Sequence, residues 1–305
     1  MAQQPKILTG QVAAITGGAR GIGRGMADAF LRQGMRVAIG DLDLAVAQET
    51  AQELGRGTVA VELNVTDRGS VERFADAVEA ELGPIDVYVN NAGIMTLSPL
   101  VEEDDAAAQR MVDVNLHGVL FGMKVVLPRM IERNRGHVVN VASQAGKFGF
   151  AGGATYCATK FAVVGLTEAM RGELRLMGAD GVALSVVMPA IVQTELGGGL
   201  ANPRGQKELT PEEVADATVE ALRTERFDVW VPKSNAGVYV ATGVLPRKGR
   251  EAIGRAMKAD RPLWNADLAT RRDYELRAAR AEPQLVAGAG ASADRDAEGD
   301  GAEAE

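Results

Sequence analysis

The feature that most constrains this chain is the alternation of short apolar runs with longer helical ones over its first two-thirds. Residues 12–16, 36–39, 58–63, 87–90, 137–142 and 183–187 are rich in Val, Ile and Ala, without polar/apolar alternation. Strands read this way when both of their faces are covered, as in a parallel sheet. Between them, 22–33, 44–54, 70–82 and 109–130 read as helices. Strand–helix–strand repetition with right-handed crossovers builds a doubly wound α/β sheet with helices on both faces. A seventh strand, 227–231, follows a helix opened by Thr210-Pro211-Glu212-Glu213, where Thr210 suits the N-cap and Pro211 the first helical position. A sheet of about seven strands is therefore expected, with its ligand beyond the carboxyl ends of the strands.

The first strand runs into Thr16-Gly17-Gly18-Ala19-Arg20-Gly21-Ile22-Gly23 and then directly into a helix. Gly17 allows a tight turn, Gly21 lets backbone approach a pyrophosphate, and Gly23 lets helix and strand pack closely. The helix N-terminus offers free N–H groups and a positive dipole end to phosphates. A glycine-rich turn alone is weak, but at the first strand–helix junction it marks a Rossmann-type dinucleotide site. Eighteen residues after Gly23 stands Asp41, just past the second strand. A carboxylate there accepts both ribose hydroxyls of adenosine and repels a 2′-phosphate, which favours NAD. Arg20 would suit a phosphate, so NADP is the alternative.

A second constellation is Ser143 followed by Tyr156-Cys157-Ala158-Thr159-Lys160. Tyr156 and Lys160, four apart, share one face of a helix. A free tyrosine ionises near pH 10. A neighbouring ammonium stabilises the phenolate and is expected to lower that value, so that Tyr156 exchanges a proton with a substrate oxygen. Ser143, at a strand end, is placed to hydrogen-bond the same oxygen. A Tyr–Lys pair alone is more often a surface pair; the upstream serine and the glycine turn decide for chemistry.

Together with Asn90-Asn91-Ala92-Gly93 after the fourth strand, these motifs resemble the classical short-chain dehydrogenase/reductase family over about residues 8–235. The resemblance implies that Asn115 is a fourth catalytic residue, kinking its helix and anchoring a water that leads to Lys160. It implies that Asn91, Ala92 and Gly93 line the adenosine ribose side of the cofactor groove. Asn64 and Val65 match the adenine-contacting pair, with Asn64 where the family usually has Asp. Pro189 matches the proline after the sixth strand, followed here by Ala190 rather than glycine. Val192 belongs to the same stretch, Thr194 would hold the nicotinamide carboxamide, and Tyr156 and Lys160 would also face the nicotinamide ribose.

The substrate side should be apolar. Met95, Leu97, Ala145, Phe148, Phe150, Met188, Val192 and Leu196 are the expected wall, with Gln144 the polar exception. Met95, Gln144 and Phe150 are the first choices for substrate contact. The glycine-rich segment 195–207 reads as a lid. The expected substrate is a lipophilic secondary alcohol or ketone, cyclic or steroid-like in the sharpest form of the reading. A ketoacyl reductase would share the catalytic set but prefer NADPH, against Asp41. A cofactor-sensing protein with a dead site should have lost the tyrosine or the lysine, and both are present.

Charge and cysteine usage exclude other classes. Net charge is −8, which offers no footprint for nucleic acid. One cysteine, Cys157, and two histidines provide neither a disulfide framework nor the ligands of a metal site. The N-terminus carries no signal-peptide pattern and no run approaches the roughly 20 apolar residues of a membrane span, so a cytoplasmic protein is expected. The chain divides into a catalytic domain over 1–235, a basic helical extension over 236–280 and an acidic tail over 281–305 expected to be disordered. The family commonly closes soon after the seventh strand in a tetramer; the extension puts that assembly in doubt and leaves a homo-oligomer, most simply a dimer through the two long central helices. The extension reads first as an extra helix packed on the body. Its weaker reading is a basic amphipathic segment, 238–258, at an anionic membrane surface.

Overall fold

The computed structural model describes residues 5–203, 207–256, 258, 261 and 263–279. The expected disorder of 281–305 and the middle of the 195–207 lid lie outside them. Seven strands form one sheet in the order β3-β2-β1-β4-β5-β6-β7. They are β1 (Val12–Thr16), β2 (Arg36–Asp41), β3 (Val59–Glu62), β4 (Val87–Asn90), β5 (Gly136–Val141), β6 (Val182–Pro189) and β7 (Asp228–Val231), and every pairing is parallel. The order reverses between β1 and β4, which opens the crevice at their carboxyl ends.

The sheet divides the core in two. On one face Met26, Phe30, Ala47, Val214 and Leu222 pack from α1 (Gly21–Arg32), α2 (Leu44–Leu54) and α7 (Pro211–Thr224). On the other, Val71, Phe74, Met123, Val126 and Val163 pack from α3 (Arg68–Leu82), α5 (Gly118–Glu132) and α6 (Ala154–Leu176). Helix starts follow local chemistry: Asp43, Asp67 and Thr210 cap α2, α3 and α7, the last with a full capping box through Glu213.

The helix expected over 109–130 is longer and interrupted. It begins as α4 (Asp105–Val112), widens into a five-residue π-turn over Asp113–His117, and continues as α5. The 105–132 segment is the one helical run among the described residues long and apolar enough to cross a membrane, and most of it is buried in the fold, as a core helix.

Beyond β7 come α8 (Ser234–Gly243), α9 (Arg247–Ala256) and α10 (Leu268–Ala278). α8 rests on the body through Ala236 and Tyr239, while Val238, Val240 and Val244 are exposed. α10 crosses back over the ligand end of the sheet.

Candidate active site

A cavity of about 690 Å³ runs from the glycine turn, past the ends of β1, β4, β5 and β6, to α10. At one end it is lined by Gly17, Arg20, Gly21, Ile22, Asp41, Asn64 and Val65. Gly17 and Gly21 have positive φ, +63° and +52°. A Cβ on Gly17 would stand 2.8 Å from the Ala92 Cα, and one on Gly23 would stand 2.2 Å from the Gly17 carbonyl oxygen. No side chain larger than hydrogen fits there. Unlike α2, α3 and α7, α1 has no side-chain cap, and its first turn carries no acid. Its first N–H groups are thus left for an anion, and the bare turn beside them fits a pyrophosphate.

Asp41 accepts hydrogen bonds from the Ala19 N–H (3.2 Å) and the Asp43 N–H (3.3 Å), and burial raises its pKa. Asn64 keeps its Oδ1 on Thr66, taking the N–H at 3.0 Å and the hydroxyl at 2.8 Å, and lines the cavity. Asn91 lines the cavity, and it also has a second task. Its Nδ2 donates to the Thr16 and Gly17 carbonyls at 3.0 and 2.9 Å, and the backbone N–H groups of Asn91 and Ala92 both donate to the Thr16 hydroxyl. It braces the glycine turn, and Ala92 and Gly93 line the cavity with it.

In the middle of the cavity lie Ser143, Tyr156 and Lys160. Lys160 Nζ donates to the Val141 carbonyl at 3.0 Å and sits 5.7 Å from the Tyr156 ring centre; burial lowers its pKa to about 8. Asn115 lies in the π-turn, fully buried. It accepts from the Ile94 N–H (2.8 Å) and donates to the Ile94 carbonyl (2.8 Å) and the Thr159 hydroxyl (3.2 Å). The wide turn swings this amide off the regular ladder onto the loop after β4, which is the expected kink.

The Tyr156 phenol departs from expectation. Burial pushes it up to about 12, while a hydrogen bond from Ser143 and the charge of Arg271 pull it down. With its own pKa near 8, Lys160 still holds most of its charge at neutral pH.

The far end is apolar, as expected, but with a different membership. Met95, Ala145, Phe150, Val192 and Leu196 line it, together with Pro189 and Thr194. Met188 and Phe148 do not. Met188 is fully buried in the core beneath the sheet end, and Phe148 turns outward to pack edge-on to Tyr239 at 5.5 Å. Leu97 packs behind Met95 and Phe150. Gln144 touches the cavity, but its amide is engaged: Nε2 donates to the Val231 carbonyl and Oε1 accepts from Asn235. It ties the end of β5 to β7 and α8, and keeps one amide N–H beyond these bonds. The residues that sequence reasoning misses are Leu263, Tyr274, Arg277 and Ala278, which complete the wall from the extension.

The family model described as "short chain dehydrogenase" matches residues 11–204. A sorbitol dehydrogenase of Cereibacter sphaeroides is 40% identical over 209 residues, covering 66% of this chain and 80% of that protein. The 17-beta-hydroxysteroid dehydrogenase 13 of Mus musculus is 33% identical over 249 residues, covering 80% and 79%. Among solved structures, a short-chain dehydrogenase/reductase of Burkholderia phymatum in complex with NAD superposes with a TM-score of 0.71 at 28% identity, over 77% of this chain and 93% of that one.

Proposed function

The chain belongs to the short-chain dehydrogenase/reductase family, and from that premise we propose that it interconverts lipophilic secondary alcohols and ketones with NAD, Tyr156 serving as the acid/base. It is an oxidoreductase of CH–OH groups; the substrate class, the cofactor and the role of each side chain are our reading. One observation carries that reading. Ser143, Tyr156 and Lys160 line a single cavity, between the bare glycine turn with Asp41 and an apolar chamber.

The dinucleotide, when bound, supplies the hydride acceptor or donor. Gly17, Gly21, Ile22 and Gly23 would hold its pyrophosphate, Asp41 its adenosine ribose, Asn64 and Val65 the adenine, and Pro189, Val192 and Thr194 the carboxamide end. The protein's own part is proton handling. The buried phenol, with its high pKa, holds its proton at rest and is suited to deliver it to a ketone oxygen. In oxidation Tyr156 takes the alcohol proton, and cationic neighbours must stabilise the phenolate; Lys160 and the buried Arg271 are the cations in place. Ser143 holds the same oxygen. Asn115 fixes the π-turn and the Ile94 backbone beside them.

The chamber beyond is walled by Met95, Phe150, Leu196 and Leu263, so a lipophilic ring or chain suits it better than a free polyol. A homodimer through the two long central helices belongs to the same proposal, since α6 leaves Phe161 46% exposed at mid-helix. The test is a panel of cyclic, aliphatic and sugar alcohols assayed with NAD and NADP by nicotinamide absorbance. Turnover of lipophilic alcohols with NAD is expected; preference for sugars or for NADP overturns the corresponding part.

A further inference from the structure

α10 is fastened across the chamber by a cation that solvent does not reach. Arg271 is 1% exposed. Its Nη1 donates to the Leu196 and Gly198 carbonyls at 2.8 and 3.0 Å, its Nη2 to the Met95 carbonyl at 2.8 Å, and its Nε to Glu275 at 3.2 Å. The Gly199 carbonyl accepts from the Asp267 N–H at 2.8 Å, and Arg277 pairs with Glu195 at 2.7 Å. A guanidinium taken out of water persists only when its donors are met. These bonds therefore fix α10 to two loops far away in sequence, those after β4 and β6.

One turn along the helix, the Arg271 guanidinium lies 5.0 Å from the Tyr274 ring centre. The Tyr274 oxygen accepts the Met95 N–H at 2.7 Å. A phenol oxygen that accepts still has a proton to give, and no acceptor for it occurs among the described residues. Tyr274 lines the same cavity as Ser143 and Tyr156, near enough to Tyr156 for their charges to interact. The other polar groups of this end already bond within the protein: Gln144 to Val231 and Asn235, Glu195 to Arg277, and Thr194 to Val192 and Gly197.

We infer that Tyr274 is a specificity-determining residue whose hydroxyl donates to a second oxygen on the substrate, so that the preferred substrate is lipophilic but bifunctional. That oxygen is an alcohol, ketone or ether group held away from the reacting carbon. An apolar pocket discriminates weakly between isosteres, but a buried donor left unpaired penalises any substrate lacking the acceptor. The inference rests on the dehydrogenase reading of the site.

Its test compares cyclohexanol with the isomeric cyclohexanediols in binding to the full chain with NADH, by calorimetry, alongside turnover with NAD. At least one diol is expected to bind about tenfold more tightly than cyclohexanol, equivalent to about 1.4 kcal/mol. Tyr274→Phe should bring the ratio of diol to cyclohexanol affinity to about one, with the loss falling chiefly on the KM of the diol. NADH affinity of the variant, read by fluorescence, should equal that of the parent and reports that the site is folded. Equal loss for both probes, or no diol preference in the parent, overturns the inference. If no alcohol is turned over but a Tyr274-dependent diol preference remains, the dehydrogenase reading fails and the subsite stands. Turnover without that preference removes the subsite and leaves the dehydrogenase reading in place.

Discussion

Arg20 forms its ion pair with Asp43, at 3.4 Å, and not with Asp41. The one basic side chain of the glycine turn is thereby tied to a neighbour's carboxylate, while Asp41 is held by two backbone N–H groups at the end of β2. A 2′-phosphate would meet a fixed negative charge there, and the nearest cation is already paired. Asp41→Asn keeps the shape and removes the charge. Hydrogen bonds to a charged group contribute about 1.5–3 kcal/mol. The variant should lose roughly ten- to a hundredfold in kcat/KM with NAD and gain relative activity with NADP. Steady-state assays with both dinucleotides check this, and an unchanged NAD/NADP ratio would remove Asp41 from the specificity argument.

Tyr156→Phe deletes the exchangeable proton and almost no volume. Positioned acid–base groups contribute about 10²- to 10⁴-fold, so kcat should fall by that order in both directions. The buried hydroxyl has no role in the sheet or its caps, so melting temperature and NADH affinity should stay near the parent's. A modest loss of kcat would move the proton chemistry to another group.

Lys160 links catalysis to stability through pH. Its folded pKa is lowered to about 8 by burial, from 10.5. A base whose folded pKa is depressed carries a cost whenever the unfolded chain holds the proton and the fold resists it. Below pH 8 both states are protonated and the full cost stands, up to about 3 kcal/mol. It fades as pH rises from 8 to 10.5 and is absent above. Lys160→Met should therefore be inactive yet more stable than the parent at pH 7, with the gap closing by pH 10. Urea unfolding at several pH values measures it. A gap independent of pH would mean that the ammonium carries no such strain.

Much of this molecule is legible in the chain because its signals are local. Runs such as Val87–Asn90 and Gly136–Val141 are buried on both faces, so they lack alternation and are visible as parallel strands. The glycine turn and the Tyr156–Lys160 spacing are fixed by geometry within a few residues. What stays hidden depends on contacts distant in sequence. Leu268–Ala278 has the composition of a solvated helix, and nothing in it signals that Arg271 will bury its guanidinium against carbonyls of Met95 and Leu196. The apolar neighbours of Gln144 point it towards a substrate. Its actual partners, Val231 and Asn235, lie across the sheet and come together only in the fold. The phenol's upward shift has the same origin, since burial is a property of the assembled cavity.

Arg271 supplies the last prediction. Its three backbone acceptors belong to segments that wall the chamber, so the guanidinium is what holds cap, lid and the β4 loop in one arrangement. Arg271→Met keeps the length and much of the apolar contact of the stem but leaves those carbonyls and Glu275 without their donor. Removing one side of a buried charged network costs about 3–5 kcal/mol. Here that loss falls on a helix outside the two sheet cores, so it should appear as local opening rather than global unfolding. Trypsin should cut the variant rapidly within residues 247–277 while the sheet domain survives, and KM for alcohols should rise about tenfold or more. NADH affinity should stay within about threefold, because the glycine turn and Asp41 lie at the opposite end of the cavity. Loss of nucleotide binding together with the cap would show instead that α10 supports the entire crevice, and would make the extension part of the catalytic fold.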